Sequence, residues 1–441
     1  MLYPLSYGRS VRAGWKPRRG LTENSRTARA IRIGMARRDG STGTNGPSCA
    51  NRRTRGRPTA YRPGVNPPSR RTLAPLLGLA ALGLATLVPI SSQAAPAPET
   101  TALTVPMAPA STSNPSNPLA GRPWGVYRGT ADPAWSPYLR ASGARKQRLA
   151  TIALAPKAKF FGAWISNADI AEKVRQYVDN ATGGDPNVLV QLSLFRMVPW
   201  EGEACRRLPT KAERASYKKY VAIVAHTLGD ARAAVVLQPD GPFLGCVPHG
   251  SSVPASLLSY AARTLSAQPH VEVYVEMGSA DWFRDRPGDA VRMLESAGVQ
   301  YARGFALDTS HFDSVGRQID FGADIVAALA ADGIEDRHFI VDTSDNGHAF
   351  TGAWFHAHHP HQPLDYAEPC GSAGQDHCVA LGIPPTTDVG DPAWGLSDRR
   401  ARTAERMVDG YLWVSRPWLA HQSGSFSMTR ALAEIRYSPF R

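Results

Sequence analysis

Seven short runs rich in β-branched and aromatic residues, each separated from the next by a stretch with helical spacing, constrain this chain more than any other feature. The runs lie near 159–165, 187–195, 233–238, 271–276, 303–307, 338–342 and 411–415. Between them, 168–179, 210–228, 253–267, 287–297, 319–332 and 400–409 repeat apolar residues three and four apart, often behind a Ser, Thr or Asp able to cap a helix. Strands alternating with helices pair in parallel through right-handed crossovers. The pattern therefore predicts an α/β fold, either a parallel barrel or a doubly wound sheet.

Acids recur where these runs stop. In "VVLQPDGPF" (235–243) the third run ends in Gln238, Pro239 and Asp240; Glu276 closes the fourth, Asp308 follows the fifth, and Asp342 and Asp345 flank the end of the sixth. Any one of them could be a helix or turn cap, a common use of Asp. In a parallel barrel, however, all strand C-termini share one face, so a succession of such acids converges on one cleft.

The net charge of +13 suggests a polyanion partner, but its distribution removes that suggestion from the body of the chain. Residues 1–71 hold 17 Lys and Arg against 2 acids, whereas 96–441 carry 33 basic and 35 acidic groups, a net of −2. The body thus has no overall field to attract nucleic acid. Residues 1–68 read as a basic, disordered leader, and an over-extended start site would account for it. Segment 69–95 pairs two arginines with an apolar stretch at 73–90 and a small-residue pattern ending at Ala94 and Ala95, the layout of a signal peptide on a Sec or twin-arginine route. Its length is also near the lower limit for a membrane anchor, the competing reading. Residues 96–116, rich in Pro, Ser, Thr and Ala, read as a tether, and 117–441 as a globular domain. The expectation is a secreted monomer with no stable membrane association once the signal is cleaved.

Outside the leader stand Cys205, Cys246, Cys370 and Cys378. In an exported chain four cysteines read as two disulfides, with three possible pairings. Five of the twelve histidines crowd 348–362, but His356, His358, His359 and His361 lack the regularity of a zinc site, and no HExxH is present. The tract reads as a variable surface loop; no metal or cofactor is expected. Nor is there a GxSxG elbow, a phosphate loop or a dinucleotide fingerprint.

Taken with "KFFGAWI" (159–165), "YVEMGSADW" (274–282), "ARGFALDTSHF" (302–312), "FIVDTSDNG" (339–347), "LGIPPTTDVGD" (381–391) and "VDGYLWVSRP" (408–417), the stretch around Asp240 resembles glycoside hydrolase family 6, the cellobiohydrolases and endoglucanases. The likeness runs in order over nearly all of 117–441. It implies a distorted seven-stranded parallel β/α barrel, similar to a TIM barrel, with a groove at the strand C-termini along a β-1,4-glucan, and hydrolysis with inversion. The general acid of that family would be Asp240, with Gln238 and Gly241 replacing the usual flanking residues. An acid poised on a dry strand end can keep its proton near neutrality and give it to a departing glycosidic oxygen. The same resemblance pairs Cys205 with Cys246 and leaves Cys370 to join Cys378 locally. Trp282 matches a sugar-stacking position, Trp164, Trp200, Trp394 and Trp418 are further aromatic candidates, and Glu276, Asp308, Asp345 and Asp391 are candidate subsite residues.

Two departures bear on mechanism. Inversion needs a base roughly 6.5–9.5 Å from the acid, and the family carries it after the last strand, where this chain reads "SRPWLAHQSGSF" (415–426) with no carboxylate and with His421 nearest the expected place. Ala204 also stands where the family has an Asp that helps keep the acid protonated. Glu203, Glu201 or a relayed water remain open as base or charge partner, and a glycan-binding protein without turnover is the rival reading.

Overall fold

The computed structural model describes residues 114 and 116–440; the expected leader and signal segment, and most of the tether, lie outside them. Seven strands, β1 Lys159–Gly162, β2 Val190–Phe195, β3 Ala233–Leu237, β4 Val271–Glu276, β5 Gly304–Leu307, β6 His338–Asp342 and β7 Val408–Leu412, pair in parallel in sequence order. Helices α1 Trp135–Arg140 and α2 Gly143–Ala153 precede the sheet, and α3 Ile170–Thr182, α4 Lys211–Leu228 and α5 Val253–Ser266 follow β1, β2 and β3. Beyond β4 come α6 Ala280–Phe283 and α7 Pro287–Ala297, then α8 Val315–Ala331 after β5, α9 Gly352–His358 and α10 Asp398–Met407 after β6, and α11 Met428–Tyr437 after β7. This is the barrel alternative of the two that strand and helix spacing allowed.

Strand alternation makes two cores. Phe161, Leu192, Leu194, Val235, Leu237, Val273, Val275, Phe305 and Val341 point outward and pack under the helices. Their neighbours Ala234, Val236, Tyr274, Ala306, Ile340 and Leu412 fill the interior with Phe160 and Trp124. Both faces of every central strand are dry, which is why these runs read as continuously apolar. Helix starts follow local chemistry: Thr210 and Glu213 form a reciprocal capping box on α4, and the Ser314 hydroxyl accepts from the Arg317 amide at the start of α8.

β1 and β7 are the sheet's two edges. Just past them the Ala158 amide donates to the Trp413 carbonyl at 2.9 Å. Trp413 and Trp418 pack with Leu149 and Ile152 of α2 and Ala431 and Ile435 of α11, so these helices seal the seam. Among the described residues no helix is long and apolar enough to cross a membrane.

At the opposite end from the acids, Asp409 is fully buried and accepts from Tyr274 Oη at 2.8 Å, Arg303 Nε at 2.8 Å and Asn114 Nδ2 at 3.0 Å. It joins β7 to β4 and to the entry of β5. Removing one member of a buried ion pair strands the other, so Asp409→Ala should destabilise by about 3–5 kcal/mol, and Tyr274→Phe by only about 1 kcal/mol. Urea unfolding of both variants checks this; equal losses would show that Arg303 finds another acceptor.

Candidate active site

β3 stops at Leu237 and the chain turns abruptly. Gln238 and Asp240 both lie in the left-handed region, with φ of 57° and 66°. Two non-glycine residues in that region within three positions carry strain that the surroundings must offset. They do so in three places. The Gln238 carboxamide oxygen accepts from the Arg196 and Met197 amides at 3.2 and 3.0 Å, tying the turn to the end of β2. Trp200 Nε1 donates to the Pro239 carbonyl at 2.9 Å. Glu276, at the end of β4, accepts from the Gly241 amide at 2.9 Å, from the Gly278 amide at 2.7 Å and from the backbone of Asp240.

Asp240 is thereby fixed, fully buried, at the mouth of the barrel. Burial first, and the charge of Asp240 second, push the Glu276 carboxyl well above its ordinary value, against the pull of the three amides. The neighbouring glycine is obligatory: a Cβ on Gly241 would stand 2.1 Å from the Glu276 carbonyl oxygen. Cys205 and Cys246 are bridged, with Cα atoms 4.8 Å apart, so the segment after the Asp240 turn is bonded to the loop after β2. Cys370 and Cys378 form the second bridge.

Aromatic rings line one flank of the turn. Trp200 meets Phe243 edge-on at 6.4 Å, Phe243 meets Trp282 at 5.6 Å, and Trp282 lies 5.0 Å from the His311 ring. His311 Nδ1 is 3.0 Å from Asp281 Oδ1, with both side chains nearly buried. For Asp281, burial opposes the charge, but His311, the Ser279 hydroxyl and the Gly352 amide together hold its carboxyl far below the usual range. For His311, burial likewise opposes charging, and Asp281 outweighs it and raises the imidazole.

Asp308 accepts from Gln318 Nε2 and Asn346 Nδ2, both at 3.1 Å, and burial, then Asp313 and Asp281, push it well up. Asp313, paired with Arg317, is raised to about 6, mainly by burial. Asp342 accepts from Ser344 and Ser415, backbone and hydroxyl alike, and from the Val414 amide, fastening β6 to the chain beyond β7. Asp345 is wholly buried, and apart from its own amide neither oxygen has a partner among the described residues; burial, Asp342 and Glu434 raise it strongly.

Asp240, Glu276, Asp308 and Asp345 thus sit where strand-end reasoning expects them. Trp282 flanks the turn, and Trp164, 45% exposed just past β1, lies over Gly162. The other candidates stand elsewhere. The Glu203 side chain is 58% exposed and pairs with Arg207 at 3.4 Å, a solvated carboxylate outside the buried set. Asp391 caps the turn Pro392–Trp394. The Thr386–Tyr411 bridge is antiparallel, so the chain reaching Asp391 runs back along β7, away from the mouth. Trp200 is a buried brace, Trp418 is sealed in the seam, and Trp394 packs on Phe440 while donating to the Asp388 carbonyl. His356, His358, His359 and His361 are exposed, and no cluster fit to hold a metal occurs among the described residues.

Asp281, His311 and Asp365 were not singled out in sequence. The first two stand within "GSADW" and "DTSHF". Asp365 lies in the histidine-rich connection, yet it is fully buried and pushed up to about 8, by burial first and by Asp240 second.

The family model for glycosyl hydrolases family 6 matches residues 129–420. Endoglucanase A of Cellulomonas fimi is 29% identical over 235 residues, 52% of this chain and 48% of that protein. Endoglucanase 1 of Streptomyces halstedii is 29% identical over 213 residues, 46% of this chain and 63% of that one. The chain therefore spans about half to under two thirds of the lengths of these relatives. The solved endoglucanase Cel6 from Mycobacterium tuberculosis, in complex with methyl-cellobiosyl-4-deoxy-4-thio-β-D-cellobioside, superposes with a TM-score of 0.58 at 25% identity, covering 73% of this chain and 99% of its own.

Gly241→Ala forces a methyl into the Glu276 backbone and should destabilise by about 1–3 kcal/mol, the usual range for overpacking. Gly245→Ala meets only the flexible Met293 methyl and should cost distinctly less. Thermal melts of the pair check this; equal losses would mean that the β4 end yields and is not the rigid support described.

Proposed function

The chain belongs to glycosyl hydrolase family 6, and from that premise we propose that it is an exported O-glycosyl hydrolase that cleaves β-1,4-glucan with inversion, Asp240 being the general acid. The observation that carries this reading is the carboxyl of Asp240, buried at the strand C-termini on a turn held by Glu276. A glycosidic oxygen leaves poorly unless it is protonated as the bond breaks. A desolvated acid among other buried carboxyls keeps its proton to higher pH than one in water, and so can donate it at that moment.

Sugar rings offer apolar C–H faces, which stack on aromatic side chains. Trp282, ordered by His311 and Phe243 beside the acid, is the proposed platform nearest the scissile bond, and exposed Trp164 a more distant one. Asp308 and Asp345 are proposed to support the subsites from below. A β-glucan or cello-oligosaccharide is the proposed partner, with no cofactor. Export rests on the signal-like segment at 69–95.

One observation favours a rival, a glycan-binding protein without turnover: residues 415–426 contain no carboxylate. Product release from cello-oligosaccharides and mixed β-glucans, with the anomer followed by NMR, separates the two. Wild type should release products of inverted configuration, and Asp240→Asn should lose about 10²–10⁴-fold in kcat, the range for removing a general acid. Binding by wild type without any turnover would establish the rival.

A further inference from the structure

The loop after β7 supplies no carboxylate between 415 and 426, and the structure lays against it a turn that carries one. Asp365 lies in the turn Leu364–Tyr366, in the connection between β6 and β7. Leu364 anchors the turn among Phe312, Phe350 and Phe355, and the Tyr366 ring stacks on the His421 ring with centroids 3.7 Å apart. The turn is therefore laid directly on the segment where a base was expected. β3, which presents Asp240, lies three and four strands from β6 and β7, whose connection bears Asp365, in the order of the sheet.

Asp365 is 0% exposed, and neither oxygen has a hydrogen-bond partner among the described residues. An uncompensated buried carboxyl is costly, unlike Asp342 with its full set of donors. Asp240 after β3 and Asp345 after β6 interact with it electrostatically, and His421 from the loop after β7 stacks on the adjacent Tyr366.

We propose that Asp365 is the second carboxyl of the reacting pair, accepting the proton of the attacking water while Asp240 protonates the leaving oxygen. This rests on the hydrolase reading above. Burial first, and the charge of Asp240 second, hold Asp365 up to about 8, which marks the two carboxyls as electrostatically coupled. The step requires a proton on Asp240 and a carboxylate at Asp365. The water oxygen bonds to the anomeric carbon, and the bond from that carbon to the glycosidic oxygen breaks. The Asp240 proton passes to the departing oxygen, and one water proton passes to Asp365. Exchange with solvent then returns the pair to its starting form.

The test uses the full chain as wild type, Asp365→Asn, Asp240→Asn and His421→Ala. With cellotetraose, Asp365→Asn should lower kcat by about 10²–10⁴-fold with little change in KM, and added azide should restore turnover and yield the α-glycosyl azide. Turnover within about fivefold of wild type, or azide rescue of His421→Ala in place of Asp365→Asn, overturns the assignment. Should Asp365→Asn fail to fold, carboxyl-carbon NMR of Asp240→Asn decides: the Asp365 titration must move to lower pH once its charged neighbour is gone, and an unmoved titration overturns the pair. Wild type without turnover on any β-glucan rejects the hydrolase reading itself, whereas an active wild type with an active Asp365→Asn rejects this inference alone.

Discussion

One carboxyl group, that of Glu276, organises the mouth of this barrel. Its oxygens take the amides of Gly241 and Gly278 as well as the backbone of Asp240, so the end of β4 holds the end of β3 in a conformation that it would not adopt alone. Left-handed Gln238 and Asp240 each cost of order 1–3 kcal/mol, and hydrogen bonds of about 1 kcal/mol each to the Glu276 carboxyl help offset that. The closeness of the two strand ends then dictates the rest. Residue 241 must lack a Cβ, the Pro239 carbonyl needs the Trp200 indole, and the segment beyond Asp240 is bonded through Cys246 to Cys205.

The buried acids differ in how their oxygens are used. Asp342 is a staple: serine hydroxyls and amides saturate it, and it joins β6 to the chain after β7. Asp308 is held by two carboxamides and Asp281 by a histidine. Asp365 has none of these. Burial raises the proton affinity of every such group, so a raised carboxyl alone says little about function. What separates Asp365 from Asp342 is the absence of local bonds that would make it structural, together with its electrostatic contact with Asp240.

Most of the barrel was legible because its strands are dry on both faces and its crossover helices amphipathic, two patterns that survive in sequence. The limits appear at the margins. β7 begins at Val408, three residues before the expected run, because Asp409 and Gly410 look unlike strand residues until Asp409 is seen holding Arg303 and Tyr274. Helix α2 was not foreseen: "GARKQRLATIA" is polar on most sides and is stabilised by packing against α11 and the seam tryptophans. Strand-end logic expected Asp240, Glu276, Asp308 and Asp345, all of which are fully buried at those ends. It could not find Asp365, which stands deep in the long connection between β6 and β7, four residues beyond exposed His361.

That connection also explains why the loop after β7 has little chemistry left to offer. Ser415 is committed to Asp342 and to the Ser310 amide, and Trp418 and Leu419 are sunk in the seam with α2 and α11. His421, at φ 53°, turns its ring flat against Tyr366. The segment therefore acts as a wall against which the turn bearing Asp365 is pressed. The positions that close the barrel seam and the turn bearing Asp365 belong to different stretches of chain, and the Tyr366–His421 stack joins the two.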